Sequence, residues 1–168
     1  MFLDETNECS VDCSTLGFGR LPERGAMQHI LVATDGSVGA NRAVDAAARL
    51  AEATGSDLTI LTIGGNISGA ELRRLASVNG DLSKELESAA NQILSKARKR
   101  ALRIGIGSVR LQTGWGDPAE TIIDAVRRGK VDILVVGRRG RGRLSGLLLG
   151  SVSQKVTSLA PCIVMVVP

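Results

Sequence analysis

The stretch 137–151 contains the residues whose types and spacing are best suited to binding chemistry, since it is rich in glycine and carries four arginines. The apolar run 131–136 precedes it and is typical of a buried strand, whereas 152–156 is typical of the first turns of a helix. A glycine-rich loop in this position binds anions, because unobstructed amide groups and the positive end of the helix dipole converge there. The stretch therefore predicts a phosphate site.

The spacing of this stretch differs from that of better-known phosphate loops. A P-loop needs a lysine before its hydroxyl residue, and a dinucleotide fingerprint lies near the first strand. What the chain has is Gly137, two residues, Gly140, nine residues, and then Gly150-Ser151. This pattern resembles the nucleotide-binding branch of the universal stress protein family, and the resemblance covers residues 26–168. The structural alternative is that the glycines only allow tight turns in a surface loop.

Strands and helices are predicted to alternate along the chain. Apolar or alternating runs predict five strands, at 29–34, 57–63, 108–112, 131–136 and 162–167. Helical periodicity and capping residues predict helices between them, at about 37–54, 70–78, 81–105, 117–129 and 151–159. The order predicts an α/β fold, a single-domain, Rossmann-like (doubly wound), parallel five-stranded sheet with helices on both faces. Strands one and four should flank the ligand crevice.

Two helices carry finer predictions. Asp81 is expected to be the N-cap of the third helix, and Asp117, Pro118 and Glu120 are expected to form a capping box at the fourth. One face of the third helix is expected to consist of Leu82, Leu86, Ala89, Ile93 and Ala97.

The family resemblance implies a site for ATP accompanied by Mg²⁺. In the nucleotide-binding branch, the ends of the first two strands hold the base, which here implies Ala33, Thr34, Asp35 and Ile63. The loop after the fourth strand holds the ribose and the first phosphate, which implies Gly137, Arg138 and Gly140. The last glycine and the start of the following helix hold the remaining phosphates, which implies Gly150, Ser151, Val152 and Ser153.

Several of these residues have a structural alternative. Asp35 could cap the first helix alongside Ser37, and Ser151 could be the N-cap of the last helix. Ser153 could face solvent. The loop arginines could be solvated charges, because the family pattern leaves those positions free.

The residues for catalysis are sparse. The only histidine, His29, stands at the start of a strand, and no Ser/His/Asp or Cys/His set is brought together by spacing. We therefore predict an ATP-binding stress or signalling module that associates with itself or with other proteins. One alternative is a slow Mg²⁺-dependent ATPase or nucleotide-cleaving enzyme that uses Asp35. The other is a nucleotide-free interaction protein, against which the intact glycine pattern argues.

Composition limits the class of protein. The 168 residues are 43% hydrophobic, which suits one domain with a sizeable core. No apolar run approaches the roughly 20 residues of a membrane span, so a soluble, cytoplasmic protein is expected. The net charge is +4, but the chain has only three aromatic residues on which bases could stack, so nucleic acid is not the expected partner. A basic cluster at 96–103 is expected to be a solvated helix face that complements the dipole.

The two ends of the chain carry separate predictions. Residues 1–26 are predicted to be a mobile extension outside the domain at 27–168, with a net charge of −3 over residues 1–27. No metal site is expected from Cys9 and Cys13, since two further ligands are missing. At the other end, Cys162 is expected to be a small buried residue of the last strand. The strand 162–167 is an apolar edge, and the resemblance implies a homodimer through it.

Overall fold

Five parallel strands and five helices form the computed structural model, which describes residues 28–142 and 148–168. The strands are β1 (His29–Ala33), β2 (Asp57–Ile63), β3 (Arg110–Gly114), β4 (Ile133–Gly137) and β5 (Ile163–Val167). The helices are α1 (Val38–Thr54), α2 (Gly69–Val78), α3 (Gly80–Ile104), α4 (Pro118–Gly129) and α5 (Ser151–Leu159). The predicted extension 1–26, with Cys9 and Cys13, lies outside the described residues.

The order of the strands in the sheet is β3-β2-β1-β4-β5, and every neighbouring pair is parallel. This confirms the predicted Rossmann-like fold. The chain runs from β1 to one side through β2 and β3, and then returns to the other side of β1 with β4. Strand order therefore reverses between β1 and β4, and a crevice opens beyond their carboxyl ends.

Each face of the sheet has its own core. One core packs α1 and α3 against the sheet, and the other packs α4 and α5 against the opposite face. The α1 side chains that face the sheet are mostly alanine, with Ala43, Ala47 and Ala48 fully buried. Small side chains allow this helix to lie close to the strands, which brings its first turn next to the end of β4.

The predicted start of α3 was wrong, and its predicted face was wrong in part. The N-cap is Asn79, whose side chain accepts a hydrogen bond from the Leu82 amide (3.3 Å), so Asp81 lies in the first turn. Leu82 and Ala89 are exposed. The residues that are buried are Ser83, Ala90, Leu94, Ala97 and Ala101. Ala97 was therefore predicted correctly, whereas the other four buried residues, of which three are small, were not.

The sheet edges are β3 and β5, the second of which was predicted, and β3 begins two residues later than expected. Cys162 precedes β5 and is half-buried, and this burial raises the pKa of its thiol. No helix in the described ranges is long and apolar enough to cross a membrane.

Candidate functional site

A cavity of about 360 Å³ lies at the carboxyl ends of β1, β2 and β4. Ten of the eleven residues predicted for the site line it: Ala33, Thr34, Asp35, Ile63, Gly137, Gly140, Gly150, Ser151, Val152 and Ser153. Arg138 is outside this lining. Its amide donates to the Val167 carbonyl (2.6 Å), and its own carbonyl accepts from the Gly150 amide (2.9 Å). The backbone of Arg138 therefore ties β5 to the start of α5.

The cavity has an apolar side that sequence analysis missed. Pro118 and Ile122, from the first two turns of α4, lie there with Val136 and the predicted Ile63. The signal that could have identified them was the Asp117-Pro118 helix start. In a parallel sheet, a helix that follows a strand begins at the edge where ligands bind.

Asp35 connects the end of β1 to the loop after β4. One carboxylate oxygen accepts from the Ser37 amide (2.9 Å), and the other accepts from the Arg141 amide (2.9 Å). The N-cap of α1 is Ser37, whose hydroxyl accepts from the Ala40 amide (3.2 Å). Asp35 thus positions the loop that forms one wall of the cavity, while Ser37 caps the helix.

Gly137 and Gly140 sit where the loop makes close contacts. A Cβ on Gly137 would lie 2.8 Å from the carbonyl carbon of Gly39 and 2.9 Å from the amide nitrogen of Ala40. A Cβ on Gly140 would lie 2.6 Å from a carboxylate oxygen of Asp35. These two glycines are therefore required by the packing of the loop against α1 and Asp35.

Gly150 has a different role at the start of α5. A Cβ there would meet its nearest atom, the Cα of Arg139, at an ordinary 3.5 Å. Gly150 is the N-cap of α5, and no side chain caps this helix. Its first intrahelical bond runs from the Gln154 amide to the Gly150 carbonyl (2.9 Å), and the amides of 151–153 have no acceptor among the described residues. The first turn of α5 therefore presents open donors beside the cavity.

Both structural alternatives for the serines of α5 were wrong. Ser151 is the first residue of the helix rather than its N-cap. Ser153 is buried, and its hydroxyl donates to the Gly137 carbonyl (2.7 Å). This bond fixes the start of α5 against the end of β4.

The starts of α4 and α5 are held together by charge. Asp117 caps α4, as predicted, by accepting from the Glu120 amide (3.0 Å), with Pro118 at the helix start, but the described hydrogen bonds do not include the return bond to the Glu120 side chain that would complete the predicted capping box. The carboxylate of Glu120 accepts from Lys155 of α5 (3.3 Å), and Lys155 also donates to Asp117 (3.3 Å). The amide of Glu120 and then Lys155 lower the pKa of Asp117, and both carboxylates raise the pKa of Lys155.

The cavity has groups that can bind a ligand. Its described residues do not include a nucleophilic side chain paired with a general base. His29 lies at the opposite end of β1, with its ring bonded to the Gly129 carbonyl (2.9 Å) and the Thr59 hydroxyl (2.8 Å). Within 28–142 and 148–168, no group of three or more histidine, cysteine, aspartate or glutamate residues could hold a metal ion.

Comparison with known proteins agrees with this geometry. The sequence profile of the universal stress protein family matches residues 27–168. This chain belongs to the universal stress protein family. A relative from Bacillus subtilis, universal stress protein YxiE, is 32% identical over 144 residues and aligns with 82% of this chain and 97% of its own length.

Two further family members match over similar lengths. Universal stress protein Rv1636 from Mycobacterium tuberculosis is 33% identical over 144 residues, which cover 84% of this chain and 97% of its own. A universal stress protein solved in complex with cAMP superposes with a TM-score of 0.68 at 32% identity, over 86% of this chain and 99% of its own.

Proposed function

We propose that this universal stress protein binds ATP in the cavity between β1 and β4 and acts as a nucleotide-responsive stress or signalling module. The observation that carries the proposal is the uncapped start of α5 beside the cavity. The other four described helices begin with a side-chain cap, from Ser37, Ser68, Asn79 and Asp117. Three open amides at a helix N-terminus favour an anionic ligand, and phosphate fits such a site.

The apolar part of the cavity lining suits a purine. Ile63, Pro118, Ile122 and Val136 provide apolar surface, and Asp35 and Thr34 line the same cavity. A flat base packed against aliphatic side chains, with one or two polar groups to orient it, is a usual arrangement in ligand pockets. The related universal stress protein solved with cAMP supports an adenine nucleotide as the ligand.

The charges at the phosphate end suit a nucleotide with several phosphates. Arg139 lines the cavity together with Ser151, Val152 and Ser153, whose amides have no acceptor among the described residues. Asp35 is the only carboxylate that the described residues contribute to this lining, so Mg²⁺ would be held mainly by phosphate oxygens, as it commonly is. When bound, Mg²⁺ would offset phosphate charge, while Asp35 would keep the loop in place.

Isothermal titration of the full chain with ATP tests the proposal. Ser151→Asp adds a carboxylate at the exposed first position of α5, where it would repel phosphate, and Ser108→Asp adds the same charge at an exposed serine before β3. We expect Ser151→Asp to raise the Kd by roughly tenfold or more, because one charge-assisted contact is worth about 1.5–3 kcal/mol. Ser108→Asp should leave the Kd unchanged.

The outcomes separate the competing functions. Binding of ATP that Ser151→Asp does not weaken would place the nucleotide elsewhere, and no heat with the unmodified chain would favour the nucleotide-free alternative. Parallel titrations with AMP and cAMP identify the preferred phosphate chain.

We also propose a homodimer formed through 162–167. Strand β5 is an edge of the sheet, and Ile163 is 61% exposed. An apolar edge with unpaired backbone groups favours pairing with a second strand. Sedimentation at micromolar concentration should give a dimer, and a 17.6 kDa species would contradict this.

A further inference from the structure

A second cavity, also of about 360 Å³, lies on the face of the sheet covered by α1 and α3. We call it the basic cavity. Its lining consists of Gly36, Asn41, Ile93, Lys96, Lys99, Arg100, Arg103 and Arg141. Five of these eight residues are cationic and none is acidic. This concentration of positive charge is a local feature, because the chain as a whole has a net charge of only +4.

Four of the cations share one side of α3. Lys96, Lys99, Arg100 and Arg103 are three or four residues apart, which places them next to one another on the helix surface. Like charges at this spacing destabilise a helix. A favourable interaction with the helix dipole can offset this repulsion only for Arg103, because Arg103 lies in the last turn and the dipole effect does not extend beyond one turn. The sequence interpretation of a solvated face that complements the dipole is therefore incomplete.

The described carboxylates neutralise one of these five cations. Arg100 forms a two-point ion pair with Asp45 of α1, with its Nε donating at 2.9 Å. Lys96, Lys99, Arg103 and Arg141 have no ion pair among the described residues. Four positive charges thus face one concave space with no protein anion that the structure shows.

Arg141 connects the basic cavity to the loop of the first cavity. The backbone amide of Arg141 donates to the carboxylate of Asp35. Its guanidinium lies next to Gly36, because a Cβ built on Gly36 would be 3.4 Å from Nη2 of Arg141. Its charge is therefore directed towards α3, and the fixed backbone limits where the side chain can go.

We propose that the basic cavity binds a compact anion carrying two or more phosphate groups. Guanidinium forks and lysine ammonium groups are the usual ligands of phosphate, and a multivalent anion would relieve the repulsion among four cations. The concave shape and the small volume favour a compact anion over a nucleic acid backbone, which needs an extended basic surface and aromatic platforms. Trp115, the only tryptophan, tyrosine or phenylalanine among the described residues, packs against Gly64 and does not line this cavity.

Titration of the full chain with tripolyphosphate tests the proposal. The Ser151→Asp variant is used as the parent protein, because its added carboxylate weakens phosphate binding in the first cavity. In this parent, Lys99→Gln combined with Arg103→Gln removes two charges from the basic cavity. Lys84→Gln combined with Arg98→Gln removes two charges from α3 residues outside that cavity, and all four side chains are on the helix surface.

We expect the parent to bind one equivalent of tripolyphosphate, with an affinity that falls as salt rises. The cavity pair should raise the Kd by roughly tenfold or more, and the control pair should change it by less than about threefold. No binding to the parent, or equal losses in the two pairs, would overturn the proposal. Because the parent has an impaired first cavity, these results are independent of whether the unmodified chain binds ATP.

Two further ligands define the chemistry. Orthophosphate should bind much more weakly than tripolyphosphate, and equal affinity would refute the requirement for two or more phosphate groups. ADP distinguishes the source of the ligand. Tighter binding of ADP than of tripolyphosphate would identify the ligand as a nucleoside diphosphate. The reverse order would identify it as an inorganic polyphosphate. Loss of either preference in the cavity pair supports binding at the basic cavity.

Discussion

The two halves of the glycine pattern are built differently. In the first half, Gly137 and Gly140 approach the backbone of α1 and the carboxylate of Asp35 so closely that neither has room for a Cβ. In the second half, Gly150 has ordinary clearance, and the helix that follows it is left uncapped beside the cavity. One sequence pattern therefore serves two purposes. The first half fixes the loop in position, and the second half leaves amides available for a ligand.

This difference implies that stability and ligand affinity can be changed separately. Substitutions in the first half should act mainly on the free energy of unfolding, because they disturb contacts within the protein. Substitutions in the second half should act mainly on nucleotide affinity, because the groups they affect have no partner among the described residues.

The largest effect is expected for Gly137→Ala. The added methyl group would meet backbone atoms of Gly39 and Ala40, which can move only if α1 shifts. We expect the free energy of unfolding to fall by about 3 kcal/mol, the upper part of the usual range for overpacking. Chemical denaturation measures this. Gly107→Ala is the control, because a Cβ there meets no described atom within 4 Å, and a comparable loss in the control would contradict the explanation.

A smaller loss, of about 1–2 kcal/mol, is expected for Gly140→Ala. The neighbour here is the Asp35 side chain, which can rotate at the expense of its bonds to the amides of Ser37 and Arg141. A double-mutant cycle with Asp35→Ala isolates the contact. Gly140→Ala should cost much less once Asp35 is truncated, and additive losses would show that the carboxylate is not the cause.

Gly150→Ser is expected to raise the stability of the protein and to lower its affinity for ATP. Serine is a good N-cap, so its hydroxyl should accept from an amide in the first turn of α5 and raise the free energy of unfolding by a few tenths of a kcal/mol. The same bond would occupy a donor that the phosphates need, so the Kd for ATP should rise. Denaturation and titration of one preparation measure both quantities. A gain in stability with an unchanged Kd for ATP would contradict the inference that the second half of the pattern leaves its amides available for the ligand.

The smallest effect concerns acid stability at the starts of α4 and α5. The pKa of Asp117 is lowered in the folded state by the Glu120 amide and then by Lys155. Its contribution to stability is therefore present above its unfolded pKa and is lost as pH falls through the lower, folded pKa. Asp117→Asn keeps a side-chain cap but removes the titration. Thermal unfolding between about pH 5 and pH 2 should depend less steeply on pH in this variant than in Asp124→Asn, which removes a carboxylate elsewhere on α4.

The fold was largely predictable from sequence. Apolar runs and capping residues correctly predicted the five parallel strands, the crevice between β1 and β4, and the bounds of α5 at 151–159. These features follow from local periodicity and from the chirality of crossover connections. The buried face of α3 was predicted only in part, because its packing in the tertiary structure buries small residues such as Ala90 and Ala101 that the apolar periodicity did not single out.

The lining of the candidate cavity was predictable in part, since Arg138 lies outside it and the apolar residues Pro118, Ile122 and Val136 were missed. The family pattern indicated ten residues that line the cavity. It did not indicate that Gly137 and Gly140 are required by packing, or that Arg141 reaches the opposite face of the sheet. Those properties depend on distances between segments far apart in the chain, which no local spacing encodes.

The position of Trp115 has a practical consequence. This residue is the only tryptophan in the chain, and its ring lies against Gly64, the residue that follows Ile63 at the end of β2. The emission spectrum of the indole should therefore respond to small movements of the segment that borders the apolar side of the first cavity. If the cavity binds a nucleotide as proposed, we expect binding to change the intrinsic fluorescence, which would report occupancy without a label.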